Sequence, residues 1–362
     1  VQTCALPISE LFELHDKARF ELIGFSSGFA PADDPYLVRM SAAFDSFIDI
    51  KNKPVEEVIS LARQMAIDVA VDLTGLTQNG RTSVLMARVA PVQIQYLGYS
   101  ATTAALNVDY VIADPLLIPE SARGDYSEKV LYLPHCFQIS DRQRIASNET
   151  PTRQSLGLPA DAFVFCSFCN TYKITPQVFE SWMRILHAVP TSVLVVASHS
   201  DIAQNNLRQA ADQCGIEQSR LIFASRLPSI PDYLARYRAF DLFLDTSPYN
   251  AGSTSSDVLR MGLPLLTHMG EAMISRMAAS PLHTLALDEL ITTSWADYET
   301  RAIELATNPE RYAAIKNKLA VALETSPLFD SPQTARYIEH GYKMALERYW
   351  QGLAADHLFV PA

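Results

Sequence analysis

Apolar and polar positions along the chain fall into two alternating patterns. Short apolar runs of strand length are separated by stretches in which apolar residues return every three or four positions, the period of a helix buried on one side. In the first half this spacing predicts helices over Leu11 to Ala18, Pro54 to Met65 and Arg81 to Val89. It predicts strands over Phe20 to Phe25, Asp68 to Leu73, Val92 to Leu97, Tyr110 to Ala113 and Val130 to Leu133. Few apolar residues occur from Ser140 to Gly157, and this stretch reads as a linker. The pattern then restarts, with strands over Phe163 to Phe168, Ser192 to Ala197, Leu221 to Phe223, Leu242 to Leu244 and Pro264 to Leu266. Helices fill the gaps over Pro176 to His187, Ile202 to Cys214, Ile230 to Tyr237 and Ser253 to Met261. A long final helix, Pro332 to Trp350, is placed to pack back across the linker.

Strands that alternate with helices imply parallel sheets covered on both faces. The chain is therefore expected to be α/β, with two Rossmann-like domains facing a cleft. Residues 1–150 form the first, residues 151–330 the second, and residues 331–362 a helix returning to the N-terminal domain. The opening Val1 to Ile8 resembles a translated sequencing adapter and is set aside from the fold.

Composition narrows the function. The 362 residues are 48% hydrophobic, enough for real cores, and carry a formal net charge of −11 without a long basic run, which argues against a nucleic-acid partner. No apolar stretch is long enough to span a membrane. The five cysteines are odd in number, and Cys166 and Cys169 share CxxC spacing without a second pair. They read as buried free thiols, which fits a reducing, cytoplasmic setting. No Asp-x-Asp pair, HExxH, nucleophile elbow or P-loop occurs, and the histidines, among them His135, His187, His199 and His268, are scattered.

Two loops are suited to an anion. The strand ending at Phe168 leads into a polar loop carrying Lys173, and Thr175-Pro176 then starts a helix. Ligands of α/β sheets sit at the carboxyl ends of strands, and a lysine there is placed to meet a phosphate. The second loop, Asn250 to Asp257, opens the next such helix. Its Thr254 and Asp257 have capping-box spacing, with Asp in place of Glu. Together the loops suggest a nucleotide diphosphate site. In the strand containing Asp68 and Asp72, Asp72 is nearer the carboxyl end. It reads either as a general base facing the cleft or as an aspartate bonded to the following turn.

A set of longer motifs then points to a family. Pro91 to Tyr99, Asp109 to Asp114, Tyr126 to Lys129, Tyr172 to Ile174, Leu244 to Thr246, Asp257 to Leu259, Ala278 to Ser280 and Ser326 to Phe329 resemble the catalytic region of protein O-GlcNAc transferases, including the SPINDLY-like members. The resemblance runs from about Ser9 to His357, in family order and spacing. It implies a GT-B glycosyltransferase, inverting and metal-independent, that moves N-acetylglucosamine from UDP-GlcNAc to serine or threonine hydroxyls of an acceptor protein, with no cofactor. By the same resemblance Lys173 contacts the diphosphate, Asn170, Tyr172 and Gly252 lie at the donor, Ser253 and Thr254 cradle phosphate, and Asp257 holds the ribose region. Upstream tetratricopeptide repeats, and a first strand carrying an active-site histidine, are expected ahead of this sequence.

The chain also departs from the family pattern. Gly252-Ser253-Thr254 stands where the family often has His-Thr-Thr. Tyr233 stands for a histidine, Arg260 for a tryptophan, and Leu76 for an aromatic residue or histidine. The stretch Gly98 to Ala104 lacks two glycines and a proline. Two alternatives follow: a transferase with another donor, such as an O-fucosyltransferase using GDP-fucose or an N-glucosyltransferase-like enzyme, and a non-catalytic domain that binds nucleotide or a partner.

Overall fold

A computed structural model describes residues 8–28, 31, 33–104, 107–198, 200–227 and 229–362. Cys4, His199 and residues 1–7 of the segment set aside above lie outside them. The chain divides into two compact units, residues 1–143 with 327–362, and residues 144–326.

The first unit opens with α1 (Ser9–Leu14), β1 (Ile23–Ser26), α2 (Pro35–Ala43) and β2 (Ser46–Asp49). It continues with α3 (Val55–Gln64), β3 (Val69–Asp72), α4 (Thr82–Met86), β4 (Val92–Gln95), β5 (Tyr110–Ala113) and β6 (Lys129–Tyr132). Strands β1 and β2 pair in parallel as a separate ribbon. The α2–β2 stretch is missing from the sequence pattern because α2 buries so little: of its nine residues only Ala43 is buried. Its start is nonetheless well specified, since Asp34 accepts hydrogen bonds from the Tyr36 and Leu37 N–H groups, both at 3.0 Å, and Pro35 opens the helix.

Strands β4 and β5 are buried along their whole length, as expected of parallel strands covered on both faces. One core joins Ile94, Tyr96, Ile112 and Leu131 of this sheet region to Leu11 and Phe12 of α1. The boundary between the two units falls after Gln143, inside the stretch expected as a linker, but the start of that stretch is firmly bonded within the first unit. Arg39 pairs with Asp141 at 2.5 Å and with Glu13 at 2.6 Å, and Arg142 pairs with Glu10. The polarity of Asp141 and Arg142 reflects ion pairing.

The second unit runs through β7 (Val164–Ser167), α5 (Pro176–Ala188), β8 (Val193–Ala197), α6 (Asp201–Gln213), β9 (Leu221–Ala224), α7 (Ile230–Ala235) and β10 (Leu242–Leu244). It ends with α8 (Ser253–Arg260), β11 (Leu265–His268), α9 (Ala279–Thr284), β12 (Ile291–Thr292), α10 (Trp295–Thr307) and α11 (Pro309–Thr325). All six strands are parallel, in the order β12-β11-β10-β7-β8-β9. Successive strands step outward from β7 to β9; the chain then returns to the other side of β7 and steps outward again. The reversal lies between β7 and β10. Such a switch point leaves a crevice beyond the strands' carboxyl ends, since the following helices depart to opposite faces.

Helix α5 shows why its start is sharp. The Thr175 hydroxyl accepts from the Val178 N–H at 3.3 Å, and Pro176 occupies the first turn. Val178, Trp182, Ile185 and Leu186 then form a buried stripe of helical period.

The chain finally returns to the first unit through α12 (Ser331–Trp350) and β13 (Leu358–Phe359). Ile338 and Ala345 of α12 join the first unit's core, and its Ser331 hydroxyl donates to the Ser140 carbonyl. Strand β13 adds in parallel beside β6, giving the order β13-β6-β5-β4-β3.

Candidate functional site

The switch point of the second unit brings the two anion-suited loops together. Leaving β7, residues 171–173 make one tight helical turn that projects Lys173 toward the loop after β10. There the Lys173 ammonium donates to the Asn250 carbonyl at 3.0 Å and lies 3.6 Å from the centre of the Tyr249 ring. Both are neutral partners. They orient the cation while leaving its charge uncompensated at contact range, the condition in which a phosphate gains most from it.

Under this contact sits Asp245, directly after β10 and fully buried. One of its oxygens accepts from the Thr246 and Ala251 N–H groups at 2.8 and 2.7 Å, and the other from the Thr267 hydroxyl at 2.7 Å. Burial pushes its carboxyl up to about 6, against these donors and the nearby Lys173 charge. Asn250 is also fully buried; its amide donates to the Thr246 carbonyl at 2.7 Å, while its side-chain oxygen has no partner.

Helix α8 begins at Ser253 with Gly252 as its N-cap and no side-chain cap. The expected capping box is therefore absent. Thr254 lies inside the helix, and Asp257 is drawn instead to Arg144, whose two terminal nitrogens reach its oxygens at 2.5 and 3.1 Å. Burial raises the Asp257 carboxyl above its ordinary range and Arg144 opposes this. No side chain caps the start of α8, and an uncapped helix start suits an anion. Gly252 is tightly covered: a Cβ there would lie 2.7 Å from the Met277 methyl carbon.

Asn170 and Tyr172 lie on the same loop as Lys173, both exposed, with the Asn170 amide 3.3 Å from the Tyr172 hydroxyl. The sequence reading missed Arg236. It is buried, with its guanidinium 4.0 Å from the centre of the Phe168 ring and 4.4 Å from that of Tyr233. It donates to the Ser225 carbonyl at 3.3 Å, and among the described residues no carboxylate pairs with it. An arginine on a helix gives no sequence signal of this kind. Asp245 did leave one, as an acid closing an apolar run. Cys166 and Cys169 are buried free thiols raised by burial, Cys169 to about 11.

In the first unit Asp72 ends β3 directly beside Gln95 of β4. One Asp72 oxygen accepts from both the N–H and the hydroxyl of Thr74 at 2.8 Å, so the turn-bonding reading holds for that oxygen. The following loops pack closely. A Cβ on Gly98 would lie 1.9 Å from the Leu73 carbonyl oxygen, so only glycine fits. The divergent stretch after it is anchored by buried Glu128, which accepts from the Thr102 hydroxyl and the Thr103 N–H, each at 2.6 Å. Burial raises the Glu128 carboxyl, but these donors outweigh it and hold it below its ordinary range.

Among the described residues no group of three His, Cys, Asp or Glu side chains could hold a metal ion, and no helix is long and apolar enough to cross a membrane.

Comparison with known proteins agrees with this architecture. The model of Glycosyl transferase family 41 matches residues 4–150 and 146–338. The Arabidopsis thaliana protein named Probable UDP-N-acetylglucosamine--peptide N-acetylglucosaminyltransferase SEC is 28% identical over 98% of this chain. The tomato (Solanum lycopersicum) protein of the same enzyme name, SPINDLY, is 31% identical over 84% of it. The chain spans only 37% and 33% of those two proteins. A solved Thermobaculum terrenum O-GlcNAc transferase superposes with a TM-score of 0.87 at 27% identity, covering 96% of this chain and 65% of that one. Anabaena HepE, solved with UDP and glucose, shares the fold at 14% identity, with a TM-score of 0.64 over 94% of this chain and 96% of its own. The fold is that of GT-B glycosyltransferases.

Proposed function

The chain belongs to glycosyl transferase family 41, and from that premise we propose that it is the catalytic region of an inverting, metal-independent enzyme. The reaction would move N-acetylglucosamine from UDP-GlcNAc to serine or threonine hydroxyls of a protein acceptor. The observation that carries this reading is the Lys173 ammonium at the switch point, held by the Asn250 carbonyl and the Tyr249 ring. Similarity to relatives named for this transfer supports the donor and the acceptor class.

In such a transfer the acceptor oxygen attacks the anomeric carbon as the bond to the diphosphate breaks. Negative charge grows on the departing UDP. Lys173 and the uncapped start of α8 would meet that charge, a fixed electrostatic stabilisation that grows toward the transition state. Ser253 and Thr254 would supply the N–H groups, Asn170 and Tyr172 the exposed side of the donor, and Asp257, steadied by Arg144, the ribose contact. Arg236 is a further polar group for the nucleotide. We assign the acceptor proton to Asp72, whose second oxygen takes no hydrogen bond among the described residues. Upstream repeats that select acceptors, and a cytoplasmic setting, belong to the same proposal.

The test is calorimetric titration of the chain with UDP, GDP and UDP-GlcNAc in the presence of chelator. Binding of UDP and UDP-GlcNAc without metal is expected. Preference for GDP would move the donor to GDP-fucose, a change the small, Met277-covered Gly252 makes worth testing. A folded chain that binds none of the three would support the non-catalytic alternative.

A further inference from the structure

We propose that Asp245 is the positioning residue of the anion loop, folding residues 245–251 into the shape that holds the Lys173 ammonium in place. The inference rests on the nucleotide reading above for its consequence, but on loop geometry for its substance.

The loop is closed by four short-range bonds. Asp245 reaches across it to the Ala251 N–H at 2.7 Å while also taking the Thr246 N–H at 2.8 Å. The Thr246 hydroxyl donates to the Tyr249 carbonyl at 2.6 Å, and the Asn250 amide to the Thr246 carbonyl at 2.7 Å. This closure puts the two groups that hold Lys173, the Tyr249 ring and the Asn250 carbonyl, on one side of the loop. Asp245 is itself fixed from behind. Thr267 on β11 donates to its other oxygen at 2.7 Å, and its carbonyl accepts from the Tyr298 hydroxyl at 3.0 Å, which in turn accepts from the Trp182 ring N–H at 3.3 Å. Strand β11 thus fixes the Asp245 carboxylate, and α10, backed by Trp182 of α5, fixes its main-chain carbonyl.

A buried carboxylate is a costly way to close a loop that a neutral side chain could close. Its charge has a use here, because it lies near the Lys173 cation without pairing with it. The lysine is drawn to the loop, yet the carboxylate is spent on N–H and O–H donors and does not neutralise it. Asp245 therefore acts through Lys173 rather than on the ligand.

The titratable groups around it are Lys173 and Cys169 in the loop after β7, Tyr298 on α10 and His268 at the end of β11. Cys169 lies 3.9 Å from an Asp245 oxygen, and His268 bonds Ser247 at 3.1 Å. Burial pushes Cys169 and Tyr298 up, out of the physiological range, and lowers His268. His268 is thus the neighbour whose titration has to be separated from that of Asp245.

The first readout needs no ligand. In NMR spectra of the intact chain, the Thr246 and Ala251 amide signals should titrate together near pH 6 and stop doing so in Asp245→Asn, while His268→Gln leaves them titrating. Amides that ignore Asp245→Asn overturn the proposal whether or not nucleotide binds. The second readout is UDP affinity. Asp245→Asn should weaken it about tenfold, as expected for loss of a charge-assisted contact. The effect should vanish in a Lys173→Met background, and the fall in wild-type affinity on acidification through pH 6 should be smaller in the variant, which keeps only the part due to protonation of UDP's own terminal phosphate. Additive losses, or an unweakened Asp245→Asn, would overturn the positioning role while leaving the nucleotide reading intact. If wild type binds no UDP but the amides titrate as expected, the nucleotide reading fails and the loop closure by Asp245 stands.

Discussion

The ammonium of Lys173 lies 3.6 Å from the centre of the Tyr249 ring, a contact between the two loops that flank the switch point of the second unit's sheet. The ring and the Asn250 carbonyl hold the cation without neutralising it. A contact of this kind contributes about 0.5–2 kcal/mol to the fold. Its larger effect is expected on the reaction.

Lys173→Met tests that asymmetry. It keeps the length and apolar stem of the side chain and removes the charge. Turnover should fall about 100- to 1000-fold, the range for losing one preorganised electrostatic group. The melting temperature should move little. The comparison needs steady-state transfer kinetics beside a thermal melt, and equal transfer rates for the two proteins would sink the diphosphate role.

Arg144 and Asp257 form the second test. Their side chains are 9% and 12% exposed, so the pair is largely out of water. Arg144→Met strands a carboxylate that burial already raises. The expected loss is about 3–5 kcal/mol in a denaturant melt. The double variant Arg144→Met/Asp257→Leu should recover most of it, because well-packed apolar groups replace a buried pair at little cost. If Asp257 also holds ribose, nucleotide affinity stays low in the double variant. Recovery of stability and affinity together would leave Asp257 a purely structural acid.

Much of this arrangement was legible in the sequence, and the failures have physical causes. Strands and helices stand out because parallel strands are apolar throughout and their covering helices are apolar on one stripe. Thr175-Pro176 marks the start of α5 for a local reason, so one sequence suffices to find it. The switch point between β7 and β10 depends on the order of strands in the sheet, which no local pattern encodes. The Thr254–Asp257 spacing fits a capping box, but the helix starts at Ser253, and a partner 113 positions away takes the carboxylate. The boundary between the units, after Gln143, lies in the stretch read as a linker, but the ion pair that ties Asp141 to Arg39 is not visible in a polar run.

Asp72 offers a test that separates two readings of one carboxylate. One oxygen holds the turn at Thr74, and the other is available for a proton. Asparagine can keep the first role, since its carbonyl still accepts from the Thr74 N–H and hydroxyl. It cannot keep the second. Asp72→Asn should therefore fold like wild type and transfer sugar about 100- to 10,000-fold more slowly, the range for removing a general base. UDP affinity should stay the same. A variant with undiminished turnover would show that Asp72 only shapes the turn and that the proton leaves by another route.

Asp245 makes a prediction about pH and stability whose sign is opposite to that of most carboxylates. Burial pushes its folded-state pKa up to about 6 from an ordinary 3.8. Between those values the folded chain holds a proton that the unfolded chain has released. The group's contribution to stability therefore falls as pH rises from about 4 to about 6, and stays at its low value above that. A shift of about two units corresponds to about 3 kcal/mol. Asp245→Asn removes the ionisation and keeps an oxygen for the Thr246 and Ala251 amides. Its stability relative to wild type should therefore be higher at about pH 8 than at about pH 4.5, by most of that amount. Urea melts of both proteins at the two pH values measure it. A gap that does not widen with pH would mean that the carboxylate is ionised at little cost, through donors stronger than its burial. The expected outcome is a variant that is more stable in alkali yet binds UDP more weakly. That combination would identify the buried charge as a cost the fold carries to hold Lys173 in place.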